Sequence, residues 1–207
     1  GAALTLIERL ALTDGALKPE LRNLLARRFR GLWTSAHMHD ELEMISRRFS
    51  ADGFWREGWA ACRQTMHYDR DRLTPEAVSR LSALETDLRP SNLPERVRAV
   101  VLGDRSAGLD LEDMDVDGDV TSAIERMDTI ARELGSAVAT DDEVFAELLP
   151  ELLRGGNRAV AFGRGLAGAS PDHRASWARL VDGLEQIAPE QRNVQVLRGF
   201  LAVLWEQ

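Results

Sequence analysis

The chain has 207 residues, 44% of them hydrophobic, and a formal net charge of −8. This length and apolar content are sufficient for a buried core, and no apolar run approaches the ~20 residues that a membrane-spanning helix needs. The net acidity argues against general nucleic-acid binding, which depends on concentrated positive charge.

The negative charge is concentrated in one segment. Residues 104–119 contain seven acids and one base, so they carry −6 of the net −8. The basic residues are 25 arginines and one lysine, a composition typical of a GC-rich genome, so the arginine count is poor evidence for phosphate binding. The N-terminus lacks the basic-then-apolar layout of a signal peptide. The one cysteine, Cys62, sits in an apolar pattern and can form no internal disulfide, and we therefore expect a cytoplasmic protein.

In chain order, the apolar spacing predicts a helix over residues 4–12 and a second helix that begins near Pro19. Three following segments then repeat apolar residues at intervals of four, three and four. The sets are Met38, Leu42, Ile45, Phe49; Trp55, Trp59, Cys62, Met66; and Ala77, Leu81, Leu84, Leu88. Each set forms one stripe of a helix, and the short connections between them predict antiparallel neighbours.

Further helices are predicted over the rest of the chain. Thr74 before Pro75 and Asn92 before Glu95 are helix-start signals, and Thr140 with Glu143 has the form of a capping box. Later helices are predicted after Pro171 and Pro189, and Pro150 is expected to kink or split a helix.

The pattern as a whole predicts about eleven helices and no strand. Helix pairs recur about every 35 to 45 residues, the period of helical-repeat arrays. We therefore expect an all-α fold of antiparallel hairpins stacked as a HEAT-like α-solenoid. The expected divisions are 1–103 (N-terminal hairpins), 104–119 (acidic loop or linker) and 120–207 (C-terminal hairpins). The missing initiator methionine predicts one continuous array taken from a longer protein.

The acidic segment contains the start of a calcium-loop pattern. Its alternating carboxylates are Asp113, Asp115, Asp117 and Asp119. In an EF-hand the last ligand is a bidentate carboxylate, but that position is occupied by Ile124. A solvated linker is the preferred interpretation, and a calcium site is the alternative.

Two other motifs suggest chemistry. Residues 163–168, GRGLAG, match the dinucleotide-binding fingerprint, but no parallel sheet is predicted around them, so a glycine-rich helix packed closely on its neighbour is preferred. His37, His39, Asp40 and Glu43 offer metal-binding side chains within one predicted helix start. No histidine precedes His37 to complete the site of a helical metal phosphohydrolase, so a solvated helix face is preferred there.

Tryptophan and arginine residues supply candidate interaction surfaces. Trp55, Trp59 and Trp177 lie on apolar stripes and are expected in the core, whereas Trp33 and Trp205 lie near helix ends and are interface candidates. Several arginines of the first hairpins could share one basic face, and the candidates chosen from it are Arg27, Arg28 and Arg30.

Three stretches carry a resemblance to a known group. Residues 55–65 (WREGWAACRQT), 162–167 (FGRGLA) and 193–200 (NVQVLRGF) resemble the degenerate helical-repeat regions of large bacterial multidomain proteins. These include the sensor arrays of STAND-type NTPases in phage defence. The resemblance implies a sensing or scaffolding segment whose chemistry lies elsewhere in the parent protein, and it assigns no catalytic residue.

The sequence thus favours a non-enzymatic interaction module without a cofactor. Its expected partner is a protein or another domain of the parent chain, held on a concave surface, with no role for nucleic acid or membrane. The alternative is a helical metal-dependent enzyme or metal-binding domain that uses His37, His39, Asp40 and Glu43 or the acidic segment 110–119.

Overall fold

A computed structural model describes residues 9, 15–51, 53–103 and 120–206, with side chains from residue 124 onward in the last range. Within these ranges the chain forms ten α-helices and four short 3-10 helices, and no strand. The prediction of an all-α fold is therefore confirmed. Of the predicted helix over 4–12, only Arg9 lies within the described residues, and it is helical.

The chain divides into two compact units, Gly1–Pro90 and Ser91–Gln207. The sequence grouped residues 91–103 with the N-terminal hairpins, but Val97 and Val101 are buried in the core of the second unit. The predicted linker, 104–119, lies outside the described residues.

Four α-helices of the first unit lie wholly within the described residues. They are α1 (Lys18–Trp33), α2 (His39–Ser50), α3 (Arg56–Asp69) and α4 (Pro75–Leu88). Leu42, Ile45 and Phe49 of the repeated pattern are buried, as are Trp59 and Cys62 on α3 and all four members of the set on α4, whereas Met66 on α3 is half-buried. The period of four and three residues thus places one stripe of each helix in the core, as predicted.

Helices two apart in the sequence pack side by side in this unit. α1 contacts α3, and α2 contacts α4. Glu43 and Arg47 on α2 pair with Arg80 and Asp87 on α4, in the same order along both helices. The two members of that pair therefore run parallel to each other.

In the described part of the second unit there are six α-helices. They are α5 (Leu93–Val100), α6 (Val120–Ala139), α7 (Asp142–Leu152), α8 (Ala159–Ala169), α9 (His173–Glu185) and α10 (Gln195–Trp205). α8 packs between α6 and α10, and α7 contacts both α5 and α9. From α6 onward, helices two apart are thus neighbours here as well.

Helix starts follow the side chains that satisfy the first free backbone N–H groups. Thr74 accepts a hydrogen bond from the backbone N–H of Ala77, and Asn92 accepts one from Glu95, so both predicted starts are confirmed.

Two other helix boundaries differ from the prediction, and the helix that contains Pro150 was expected to kink or to split. Asp141, rather than Thr140, caps α7, because its carboxylate accepts from the N–H of Val144. α7 contains Pro150 and ends two residues later, so it is not split. Pro189 begins a 3-10 turn, and α10 starts only at Gln195.

Candidate functional site

The metal-binding candidate in α2 does not assemble into a metal centre. His39 is buried, its Nε2 atom lies 2.7 Å from the carbonyl oxygen of Trp33, and its ring stacks on that indole with centroids 4.4 Å apart. His37 is exposed in the preceding 3-10 turn. Asp40 and Glu43 project to a different partner and form ion pairs with Arg80.

These ion pairs belong to a charged network that joins α2 to α4. Arg80 donates to both Asp40 and Glu43, and Arg47 donates to Glu43 at 3.1 Å and to Asp87 at 2.9 Å. The hydrogen bonds to Asp40 and Glu43 raise the pKa of Arg80. The carboxylates proposed as metal ligands are thus engaged by guanidinium groups, and the network holds two parallel helices together.

A second polar cluster, which the sequence analysis missed, surrounds the buried carboxylate of Glu85. This side chain accepts a hydrogen bond from Trp59 Nε1 at 2.7 Å and from Arg89 at 2.9 Å, and Arg63 lies 3.5 Å away. Burial, together with this nearby carboxylate, raises the pKa of the Cys62 thiol. The cysteine is therefore a packed thiol, and Glu85 satisfies the indole N–H of a core tryptophan.

Trp33 is placed in the core and not on the surface. Its side chain is fully buried and stacks on Phe29, with ring centroids 5.4 Å apart. Its position near the end of α1 suggested an interface residue, but α1 continues to Trp33 itself and carries the apolar stripe that includes Leu25 and Phe29. The indole is therefore not accessible to a partner.

The three candidate arginines of α1 have different environments. Arg30 pairs with Asp69 of α3 and lies over the ring of Tyr68, with its guanidinium carbon 5.0 Å from the ring centroid. Arg27 and Arg28 are exposed and have no ion-pair partner among the described residues. The structure thus leaves two of the three available for an external acid.

The glycine motif lies inside α8 and serves helix packing. A Cβ atom at Gly163 would overlap the backbone of α10 at Val196 and Phe200, and one at Gly165 would overlap the backbone of α6 at Arg132. Reciprocal contacts come from two further glycines, Gly135 of α6 and Gly199 of α10. The interpretation as a closely packed glycine-rich helix is confirmed.

A buried cation, Arg158, lies between α5 and α6. Its guanidinium donates to the carbonyl of Val100 at 3.4 Å, and its backbone N–H donates to Val101 at 3.3 Å. The nearest carboxylate, Asp128, is 3.9 Å away, and burial lowers the pKa of the arginine. Positive charge at a helix C-terminus is favourable, so Arg158 stabilises the end of α5.

One open groove of about 410 Å³ lies between α7 and α9. Leu149, Pro150 and Ile187 contribute its apolar wall, and Arg154 and Asp182 its polar rim. Arg179, also at this groove, is already bound to Asp142 and lies over the ring of Phe145.

Across the described ranges, no group of three or more His, Cys, Asp and Glu side chains is arranged to hold a metal ion. The calcium candidates Asp113, Asp115, Asp117 and Asp119 lie outside those ranges. No helix of the described ranges has the length and apolar character needed to cross a bilayer.

The second tryptophan candidate, Trp205, is the most exposed large hydrophobic residue that the structure describes. Its side chain at the end of α10 is 84% exposed. The adjacent Glu206 lies 3.6 Å from Arg164 of α8. Trp205 therefore keeps the surface position expected of an interaction residue.

Comparison with known proteins gave no match: no protein-family model, no curated protein and no solved structure is similar to this chain at a significant level.

Proposed function

We propose that this chain is a cytoplasmic, non-enzymatic helical-repeat scaffold of HEAT-like type that mediates protein–protein or inter-domain interactions. The observation that supports this most directly is the packing of helices two apart in each unit: α1 beside α3 and α2 beside α4, and then α8 between α6 and α10. Such packing is what stacked helical hairpins produce, and stacked hairpins offer extended surfaces to partners.

The polar side chains support the same proposal. In the described residues, three arginines join one helix to another: Arg80 joins α4 to α2, Arg30 joins α1 to α3, and Arg98 joins α5 to α7 through Glu147 and Glu151. An enzyme needs such groups to converge on substrate. Here they connect one helix to another.

The resemblance to repeat regions of large bacterial proteins is a further argument for a sensing or scaffolding role. On this proposal, partners bind through exposed side chains. The candidates are Arg27 and Arg28 in the first unit and Trp205 in the second.

Site-specific photo-crosslinking in the source cells tests the proposal. A photoreactive amino acid is introduced singly at Arg27, Arg28 or Trp205, with exposed Glu76 on α4 as the control position. We expect protein adducts at one or more of the three candidate positions that are absent or much weaker at the control. Adducts of equal strength at every position, or at none, would contradict the scaffold function.

Metal analysis tests the rival enzyme. The purified protein and its His39→Ala variant are assayed for bound metal. We expect no stoichiometric metal in either, since His39 binds a backbone carbonyl and Asp40 and Glu43 bind arginine. One equivalent of a transition metal that disappears in the variant would favour the metal-dependent alternative instead.

A further inference from the structure

The exposed side of α10 is unusually apolar for a surface helix. Four apolar residues fall on one stripe of this side, at intervals of seven, one and three residues. They are Val194, just before the helix, and Leu201, Ala202 and Trp205 within it. Val194 is 54% exposed, and Leu201 and Ala202 are half-buried and are not among the residues packed against the core. Arg198 is the only charged side chain within this stripe.

The opposite side of α10 is already fully used. Val196, Leu197 and Phe200 are buried in the core of the second unit, and Gly199 contacts the backbone of α8 at Val160. A surface helix normally turns a polar face to water, and a helix that is apolar on both sides is normally covered on both. A partner surface is therefore expected over the stripe.

The part of the stripe from Arg198 to Trp205 is complementary to itself in one antiparallel register. If a twofold axis passes between Leu201 and Ala202, each leucine faces the small alanine of the other copy. Arg198 then faces the partner's Trp205, as a cation–π contact requires, with the partner's Glu206 next to it. Arg198 has no side-chain partner of its own in the described residues, so this register supplies its missing acid and aromatic ring.

Other antiparallel registers are less favourable. An axis three or four residues earlier would place Arg198 against the same arginine of the other copy, and like charges in direct contact are repulsive. Along α10 the order is one cation, a leucine–alanine pair, a tryptophan and an acid. This order thus selects both the orientation and the register of the second copy.

We infer that this face of α10 is a homodimerisation surface, on which α10 of a second copy lies antiparallel across a twofold axis between Leu201 and Ala202. The contact is isologous, as expected for the commonest kind of homodimer. The inference rests on the proposed scaffold function and names the partner of one of its surfaces. A patch of about three helical turns is smaller than a standard interface, so we expect a dissociation constant of about micromolar order.

Sedimentation equilibrium on the purified chain tests the inference. We expect a concentration-dependent monomer–dimer equilibrium, and Trp205→Ala should raise its dissociation constant by about 30-fold or more, as truncation of a hot-spot tryptophan commonly does. Tyr68→Ala is the matched control, because Tyr68 is 57% exposed in the first unit. It should leave the equilibrium unchanged.

A charge exchange tests the register. Arg198→Glu alone places a carboxylate opposite the partner's Glu206, and Glu206→Arg alone places two guanidinium groups together, so each should weaken the dimer. The double variant should return the dissociation constant to within about threefold of the wild type, since the pair is restored in reverse. Glu206 also lies near Arg164 of its own chain, and both variants that carry Glu206→Arg share that change equally.

Three results would overturn the inference. The first is a protein that stays monomeric at the highest soluble concentration. The second is a dimer that is unaffected by Trp205→Ala and Arg198→Glu, and the third is a double variant as weak as the single ones. None of these touches the proposed scaffold function, which would still be judged by adducts to other proteins in the source cells.

Discussion

Replacement of Gly165 by alanine should destabilise the second unit, although glycine-to-alanine changes inside a helix are ordinarily favourable. Alanine is preferred over glycine in a helix interior by about 1 kcal/mol. At Gly165, however, the new methyl group would overlap the backbone carbonyl group and the Cα atom of Arg132 on α6. Those are backbone atoms, so no side-chain rotation can relieve the overlap, and the two helices must move apart.

The net effect follows from the balance of these two contributions. Overpacking of a buried contact typically costs about 1–3 kcal/mol, and the rigid neighbour places Gly165 at the upper end of that range. After the propensity gain is subtracted, we expect a net loss of about 2 kcal/mol, which corresponds to a fall of about 4–8 °C in the melting temperature.

Gly168, one turn further along the same helix, provides the control. A Cβ atom at Gly168 would meet no atom within 4 Å, so Gly168→Ala should stabilise by about 0.5 kcal/mol through helix propensity alone. Urea unfolding followed by circular dichroism gives both values, provided that the slope of the transition is unchanged. If Gly165→Ala proved as stabilising as Gly168→Ala, the close approach of α6 and α8 described above would be wrong.

Three further predictions concern the first unit. The Arg30 hydrogen bond holds the pKa of Asp69 below its usual range, so Asp69 stabilises the fold above about pH 4, and this contribution is lost as the pH falls through the lowered pKa. The difference in unfolding free energy between wild type and Asp69→Asn should therefore shrink on acidification. A difference that is independent of pH would contradict this prediction. Burial raises the pKa of the Cys62 thiol, so a thiol reagent should modify it only as fast as the protein unfolds, and rapid labelling of the native protein would refute its buried placement. Glu85→Ala leaves the indole N–H of Trp59 without its acceptor and should lower the free energy of unfolding, measured in urea, by about 2 kcal/mol. Glu85→Gln keeps an acceptor oxygen and should lose less. Equal losses in the two variants would show that the hydrogen bond is not the cause.

The apolar periodicity was sufficient to predict the helical stripes, because burial of a stripe depends on local spacing alone. Leu81, Leu84 and Leu88 are buried where the pattern placed them. Exact helix starts were less predictable, since adjacent polar residues compete for the same capping role. Thr140 and Asp141 could each cap α7, and the backbone geometry of the folded chain selects Asp141.

The candidate site was harder to predict because charged residues acquire their roles from distant partners. Asp40 and Glu43 have the spacing of metal ligands, and only the folded chain brings Arg80, some 40 positions later, to neutralise them. Glu85 gives no sequence signal at all, since it is one acid among many until Trp59 lies against it. Trp33 was misjudged for the opposite reason, because nearness to a helix end does not reveal which side of the helix faces the core.

The contacts of α8 limit the substitutions that a chain with this fold can accept. Any substitution at Gly135, Gly163, Gly165 or Gly199 adds at least a methyl group where a neighbouring backbone already lies. Homologues that keep this three-helix layer must therefore keep those glycines, and Gly163 and Gly165 would appear as an invariant GxG. Invariance of that kind is ordinarily taken as the mark of a nucleotide site. Here the two glycines would instead be conserved because they allow α8 to lie in close contact with the backbones of α6 and α10.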